Sequence, residues 1–156
     1  MKKQIFIFLI ISTLFSCNVK NDFAGIVSIP VSGWQAGKVL EYPIEIKEKG
    51  NTLDFIYQVQ YDPEFSWENI WLNYQLTGPG GDTLIRSTDN LFLFEPGSGR
   101  PIGSGCKERL YLNAYFLRNV KLRQTGKYHL RVQHFMRTDT LKGIQALGLR
   151  LREVSN

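Results

Sequence analysis

The sequence contains few of the residues from which metal and catalytic sites are usually built. Two histidines and two cysteines occur among its 156 residues. His129 and His134 lie five residues apart on one predicted strand, so their side chains point to opposite faces and do not share a metal ion from that strand. Neither a Gly-x-Ser-x-Gly motif nor a phosphate-binding glycine loop before a helix is present. We therefore expect no catalytic residues, no metal and no cofactor.

The chain also lacks clusters of like charge. Its formal net charge is +5, and dropping Lys2 and Lys3 with an N-terminal signal leaves +3. A nucleic-acid interface would need a concentrated basic stripe, which the dispersed arginines do not provide. We expect no nucleic-acid partner. A mixed, solvated surface is the simpler interpretation of this charge pattern, and a basic surface that faces a membrane is the alternative.

No apolar run near the N-terminus is long enough to span a membrane. Residues 5–15 are apolar except for Ser12 and Thr13, whereas a spanning helix needs about 20 residues. With Lys2 and Lys3 ahead of it, this run predicts a signal peptide over residues 1–16. The following Leu14-Phe15-Ser16-Cys17 is similar to a bacterial lipobox, which predicts a diacylglyceryl group on Cys17.

This interpretation divides the chain into three parts. They are a signal peptide (1–16), a lipidated tether (17–23) and one folded domain (24–156). The alternative is an ordinary secretion signal. In that case Cys17 is not lipidated, and we expect a disulfide between Cys17 and Cys106 as the competing interpretation. With Cys17 lipidated, Cys106 is alone in a Gly-rich turn with no nearby histidine, and we interpret it as structural or incidental.

The remainder of the chain is dominated by period-two alternation and contains no amphipathic pattern of helical length. Such segments, separated by polar turns, predict antiparallel strands that bury one face. We predict a jelly-roll-like β-sandwich, with a small barrel as the alternative and a single helical turn over Thr140–Ala146. The predicted strand segments are Val39–Lys47, Leu53–Tyr61, Ile70–Leu76, Thr83–Arg86, Leu110–Val120, Tyr128–Phe135 and Ala146–Leu151. Ile26–Val31 is an apolar run that Pro30 limits to an edge strand or a lead-in, and Leu91–Phe94 is a further short apolar run.

Three tryptophans, Trp34, Trp67 and Trp71, lie in or beside turns or on the polar face of a strand. They support two interpretations. They close the ends of the sandwich, or they form an exposed surface on which sugar rings stack. A hydrolase built on the dispersed carboxylates is a third hypothesis, which would need two of them to meet in a cleft. Those carboxylates are Glu64, Glu68, Asp82 and Asp89.

Several segments from about Phe23 to Glu153 resemble one known family. Residues 126–137 read Gly-Lys-Tyr-His-Leu-Arg-Val-Gln-His-Phe-Met-Arg and are followed by Leu-Lys-Gly-Ile at 141–144 and Leu-Gly-Leu-Arg-Leu at 147–151. Upstream lie Asn-Ile-Trp-Leu at 69–72, a hairpin at 78–84 and the Gly-rich loop at 97–105. In order and spacing these segments resemble the GldH gliding motility lipoproteins of the Bacteroidetes.

The resemblance implies a non-catalytic lipoprotein of the cell envelope that works with the gliding machinery and its linked secretion system. It implies membrane attachment through the N-terminal lipid and protein partners, and it names neither the inner nor the outer membrane. Within the matching C-terminal segment, we expect Gly126 to adopt a positive φ and the Tyr128 hydroxyl to bond back to the turn. Arg137 pairs either with Asp139 or with a partner protein.

Overall fold

The computed structural model describes residues 23–154. The predicted signal peptide, the lipidated Cys17 and the tether up to residue 22 lie outside these residues and stay predictions. Within the described range, no helix is long and apolar enough to cross a membrane.

Residues 23–154 form eleven β-strands and no helix. All strand pairs in them are antiparallel. The strands are β1 (Phe23–Ser28), β2 (Trp34–Gln35), β3 (Leu40–Ile46), β4 (Thr52–Tyr61), β5 (Asn69–Thr77), β6 (Thr83–Phe92), β7 (Ser104–Cys106), β8 (Arg109–Lys121), β9 (Gly126–His134), β10 (Thr140–Leu141) and β11 (Ile144–Glu153).

Two sheets and one short ribbon organise these strands. The first sheet has the order β1-β11-β4-β8-β7, the second has the order β3-β9-β5-β6, and β2 pairs with β10. Along the chain, the eight longest strands alternate between the two sheets, except that β5 and β6 form a hairpin within the second sheet, and this is the order of a jelly roll. The predicted all-β sandwich is therefore confirmed.

The alternation seen in the sequence is the physical cause of this arrangement. In β3, Leu40, Tyr42, Ile44 and Ile46 are buried while the residues between them are exposed. Side chains that alternate in this way give each strand one apolar face, and two such sheets bury their apolar faces against each other. The Tyr42 hydroxyl donates a 2.6 Å hydrogen bond to the Leu147 carbonyl and so links the two sheets through the core.

The predicted helical turn over Thr140–Ala146 is wrong. Leu141 pairs with Trp34 in the short ribbon, and Ile144 already pairs with Tyr61 at the start of β11. Between them, Gly143 has a φ of 88° and reverses the chain without any helical residue. The predicted Thr83–Arg86 strand also runs on into the Leu91–Phe94 segment, because β5 pairs with β6 along its whole length.

The sandwich has two distinct ends. At the near end, Phe23 begins β1 and pairs with Arg150, close to the end of β11. The turns at 47–51, 78–82 and 122–125 lie at the same end, where Gly50 N–H bonds to Leu122 O and Val154 N–H bonds to Thr52 O. The far end carries the longer loops at 62–68, 93–103 and 135–139.

Candidate functional site

A groove at the far end brings together three of the four side chains that the sequence singled out as a possible interaction surface. Trp67, Trp71 and Arg137 line it, and its volume is about 540 Å³. Trp67 is 47 % exposed and Trp71 is 41 % exposed. We call this surface the aromatic groove; its lining residues are Trp67, Asn69, Trp71, Thr88, Phe135, Met136 and Arg137.

The aromatic groove is built where β5 and β9 stop pairing. Their register ends at Leu72 and His134, and the chain then leaves the sheet at Phe135. The Phe135 amide still donates a 2.7 Å hydrogen bond to the Trp71 carbonyl. The Trp71 amide donates in turn to the Met136 sulfur at 3.3 Å. These two bonds hold the 135–137 segment alongside the start of β5.

The loop that carries Trp67 is fixed from the other side. The Glu68 carbonyl accepts hydrogen bonds from the amides of Leu93 and Phe94, at 2.9 and 3.0 Å. The same region is tied to the 93–103 loop by the Tyr61 hydroxyl, which donates to the Leu93 carbonyl and accepts from the Gly103 amide. The groove is therefore a supported surface formed by three separate segments of the chain.

Of the residues that the structure describes, Arg137 is the only charged one that lines the aromatic groove. Its side chain is exposed. Among residues 23–154 it has neither a hydrogen-bond partner nor an ion-pair partner, and the pairing with Asp139 is not formed. The groove thus combines exposed aromatic surface with one cation that no side chain of the described chain neutralises.

Trp34 is not part of any exposed surface, so its prediction as an interaction residue is wrong. It is 1 % exposed, and its indole N–H donates a 2.8 Å hydrogen bond to the Lys38 carbonyl. The pairing of β2 with β10 sets Trp34 opposite Leu141 and turns its ring into the core. This tryptophan closes the end of the sandwich, as the structural interpretation expected.

His134 lies under the aromatic groove and is 4 % exposed. Its ring meets the ring of Trp34 edge to face, with centroids 5.4 Å apart. The Met136 amide donates to His134 Nδ1 at 3.4 Å. Burial lowers the pKa of His134, because the charged imidazolium would lose its hydration. A neutral ring here supports the 135–137 segment from below.

A second, polar groove follows the outer face of the four-stranded sheet. Its volume is about 560 Å³, and it shares Thr88 with the aromatic groove. Its side chains are partly paired with one another, since Thr88 donates to Asn73 Oδ1 at 2.6 Å and Arg86 to Gln75 Oε1 at 2.7 Å. Arg131 pairs with Glu41 at 3.2 Å. The polar side chains that line this polar groove are Asn73, Gln75, Arg86, Ser87, Thr88, Arg131 and Gln133.

The remaining candidate chemical residues come together only in part. His129 is exposed and His134 is buried on the opposite face, as predicted. Among residues 23–154, no group of three or more His, Cys, Asp or Glu side chains is placed to hold a metal ion. Of the four carboxylates named for a hydrolase, Asp82 lies in the near-end turn at 78–82 and Asp89 lies on β6. Glu64 and Glu68 both line a shallow cavity of about 260 Å³ in the far-end loops.

Cys106 is exposed and unpaired within the described part of the chain. The same segment holds Ser104 and Lys107 at Ser-x-x-Lys spacing, which the sequence analysis did not single out. Ser104 lies on β7 and Lys107 in the turn that follows, and both are exposed. Within the described residues, no hydrogen bond joins the Ser104 hydroxyl to the Lys107 amine.

Sequence reasoning also missed Phe135, which is 62 % exposed. A signal was present in the alternation of β9. His129, Arg131 and Gln133 occupy the solvent-facing positions, and Phe135 continues that phase as an apolar residue. A single exposed apolar side chain is ordinary, but Phe135 forms a contiguous apolar patch with Trp67 and Trp71, and such a patch marks a binding surface. The two predictions for the matching C-terminal segment are confirmed, since Gly126 has a φ of 130° and the Tyr128 hydroxyl donates to the Gln124 carbonyl at 2.8 Å.

Comparison with known proteins places this fold in a family. A relative from Christiangramia forsetii, named as a gliding motility lipoprotein GldH homolog, is 23 % identical over 161 residues and covers 98 % of this chain and 97 % of its own. An exo-β-1,3-galactanase from Phanerochaete chrysosporium, solved with galactose, overlaps 80 % of this chain and 25 % of that enzyme at 9 % identity. Its TM-score is 0.32, so the likeness carries no argument.

The family comparison agrees with the near-full-length relative. Residues 23–151 match the family described as GldH lipoprotein. This range covers almost the whole described domain, including both sheets and the aromatic groove. The chain therefore belongs to the GldH lipoprotein family, and it is a gliding motility lipoprotein of the cell envelope, attached to a membrane.

Proposed function

We propose that this protein is a non-catalytic interaction subunit of the gliding machinery, which binds a protein partner in the aromatic groove. One observation carries the proposal. Trp67, Trp71 and Phe135 expose their rings side by side with Met136 and the unpaired Arg137. Aromatic residues, Met and Arg are the residue types enriched in the centres of protein interfaces.

The position of the groove supports the same proposal. Phe23 lies at the near end, and the groove lies at the far end, about 20 Å further along β5 at about 3.4 Å per residue. A domain attached through its N-terminal segment would present this surface to a partner away from the membrane. The lone Arg137 favours a partner segment that places a carboxylate beside apolar residues.

The test is site-specific crosslinking in living cells. A photoreactive phenylalanine analogue at position 135 is expected to give one crosslinked adduct with an envelope protein. The matched control is the same analogue at Tyr111, which is 46 % exposed on the outer face of the other sheet. Equal adducts at both positions, or none at position 135, would contradict the proposal.

Gliding assays provide the functional counterpart. We expect Arg137→Glu to reduce spreading by more than tenfold, because it places a negative charge where the partner presents one. Lys142→Glu is the control, since Lys142 is exposed at the same end but outside the groove. Normal spreading of the Arg137→Glu strain at normal protein level would argue against the groove.

The non-catalytic part of the proposal has its own test. Glu64→Gln and Glu68→Gln variants are expected to glide like the wild type, because a non-catalytic protein needs no carboxylate that transfers a proton. Loss of gliding in either variant, with the protein folded and at normal level, would revive the hydrolase hypothesis.

Attachment through Cys17 is the remaining part of the proposal. Mass spectrometry of the mature N-terminus from native membranes is expected to find a diacylated or triacylated cysteine. A Cys17→Ala protein is expected to be mislocalised. A free thiol at Cys17, or a Cys17–Cys106 disulfide, would mean that the domain is held at the membrane in another way.

Sugar binding is the second candidate, and the polar groove is the observation that favours it. Amide and guanidinium side chains line this groove, and the exposed Trp71 lies next to it on the same face. Polar groups beside an aromatic ring are what a sugar-binding surface requires. A glycan array would test it: binding that is lost in Trp71→Ala would support the candidate, and an array without binding would remove it.

A further inference from the structure

The near end of the sandwich holds all of the positive charge excess of the described chain. Eight basic and five acidic residues lie there, level with Phe23 or beyond it, whereas the rest of residues 23–154 contains eight of each. The basic residues are Lys47, Lys49, Arg118, Lys121, Arg123, Lys127, Arg150 and Arg152. The acidic residues are Glu45, Glu48, Asp54, Asp82 and Glu153.

The fold concentrates this charge although the sequence disperses it. The residues come from turns and strand ends that are far apart in the chain and meet at one end of both sheets. Lys47 and Lys49 lie in the 47–51 turn, which is bonded to Leu122 through Gly50. Lys121 ends β8 directly beside it, opposite Thr52. These lysines are exposed.

The outer face next to these turns adds an aromatic residue. Tyr115 is 37 % exposed, and two guanidinium groups lie over its ring. Arg118 is 4.2 Å and Arg152 is 5.0 Å from the ring centroid. Arg152 is fixed by a 2.6 Å ion pair with Asp54, which also accepts the Asn119 amide at 2.9 Å. Tyrosine beside arginine is a typical composition for a surface at the level of lipid headgroups.

The chain outside the structure sets the distance from this end to a membrane. Six residue steps separate Cys17 from Phe23. Even fully extended they span only about 20 Å. If Cys17 carries the lipid, as proposed above, the near end cannot move further than that from the bilayer surface.

We infer that the near end of the sandwich is a docking surface for the anionic phospholipid headgroups of the membrane in which the chain is anchored. The short tether holds the basic turns close to the bilayer, and their positive excess is complementary to anionic lipid. Contact at this end orients the domain so that the aromatic groove faces away from the membrane. The inference rests on the proposed Cys17 anchor.

The test uses the lipidated full-length protein in vesicles. In a Cys106→Ser background, a fluorophore is placed at Thr125→Cys in the near-end turn or at Ser32→Cys in a far-end loop, both exposed and uncharged positions. Vesicles contain a headgroup-quencher lipid in phosphatidylcholine, with or without phosphatidylglycerol. We expect strong quenching only at position 125, increased by phosphatidylglycerol and reversed by salt.

A matched pair of triple variants isolates the charge. Lys47, Lys49 and Lys121 are changed to Gln in one protein, and Lys38, Lys107 and Lys142 in the other; all six are exposed. One basic residue at an anionic surface changes the ratio of docked to undocked domain by about fivefold. The near-end variant should therefore lower this ratio about a hundredfold, and the far-end variant should leave it unchanged.

The outcomes separate this inference from the anchor on which it rests. Protein that fails to float with the vesicles would mean that the anchor is absent. Protein that floats but quenches equally at both positions, or equally with and without phosphatidylglycerol, would overturn the docking surface while the anchor stands. Equal effects of the two triple variants would overturn the role assigned to the near-end charges.

Discussion

The two ends of this sandwich are built from the same strands but differ in loop length and chemistry. Short charged turns cover the near end, and the 78–82 turn packs so tightly that a Cβ on Gly126 would lie 3.0 Å from Pro79. Longer loops cover the far end and place aromatic side chains on both sides of the surface, with Trp34 below and Phe135 above. The sheets therefore supply a common scaffold, and the loops at each end determine what that end contacts.

The largest expected effect tests whether the far end depends on its buried tryptophan. Trp34→Ala removes a ring that is 1 % exposed and leaves a cavity under the groove, so we expect a loss of about 3–5 kcal/mol of unfolding free energy. Urea denaturation measures it. Trp67→Ala, at the half-exposed tryptophan of the same end, should lose less than about 1 kcal/mol. Similar losses in both variants would contradict the assignment of one tryptophan to the core and the other to the surface.

The next largest effect on stability is expected at Gly33, the residue before the short ribbon of β2 and β10. A Cβ at Gly33, where φ is 107°, would lie 2.6 Å from Thr140 Cγ2 and 3.0 Å from the Leu141 carbonyl oxygen. Gly33→Ala should therefore destabilise the fold by about 2–4 kcal/mol, through both the clash and the backbone strain.

Gly37 provides the control for this prediction. Its φ is also positive, at 79°, but a Cβ there meets nothing within 4 Å. Gly37→Ala should cause strain alone, about 1–2 kcal/mol. A Gly37→Ala protein less stable than Gly33→Ala would show that the contact with β10 is not the dominant factor.

A smaller effect on stability is expected at the far end, where it depends on pH through the buried His134. Burial lowers the pKa of His134, so the unfolded chain binds a proton more readily than the folded one. The stability from this group is present above the ordinary pKa of about 6.5 and decreases as pH falls toward the lower folded value. Thermal melts at pH 7.5 and 5.5 should show a loss in the wild type that His134→Gln no longer shows. His129→Gln, at the exposed histidine, should keep the loss.

The smallest effect belongs to the near end and appears at lower pH. The backbone N–H of Asn119, and then Arg152, lower the pKa of Asp54 against the opposing effect of burial. The stability from this carboxylate is present above its ordinary pKa of 3.8 and decreases as pH falls through the lower folded value. Acid titration of Asp54→Asn should lack this component. An unchanged acid transition would mean that Asp54 does not couple folding to protons, and Asp82→Asn serves as the exposed control.

Much of the fold could be predicted because its cause is local. The alternation over Leu40–Ile46 specifies both a strand and its buried face, and the positions of β3, β4, β5, β8 and β9 were predicted to within about two residues on that basis. The helical turn at 140–146 was wrong for the opposite reason. Its residues are paired with Trp34 and Tyr61, which are distant in the chain, and no local pattern reports such pairing.

The candidate site was predictable only in part. Trp67, Trp71 and Arg137 were singled out separately, but their meeting depends on the register of β5 against β9. The burial of Trp34 depends on a two-residue ribbon with β10, so its sequence beside a glycine turn suggested a surface instead. The near-end charge could not be predicted for the same reason. The turn with Lys49 and the strand ends with Lys121 and Arg152 reach one end of the sandwich only through pairing between segments that are distant in the chain.

The hydrogen bond between Val154 N–H and Thr52 O has a practical consequence for experiments on this protein. The bond shows that β11 ends at the near end of the sandwich, where β1 starts at Phe23. An epitope tag fused after residue 156 would therefore start from the near end. Such a tag would crowd the bilayer side of the domain and spare the aromatic groove. A tag inserted in the exposed turn at 97–99 would have the reverse effect, and comparing the two fusions in a spreading assay shows which side of the domain tolerates added bulk.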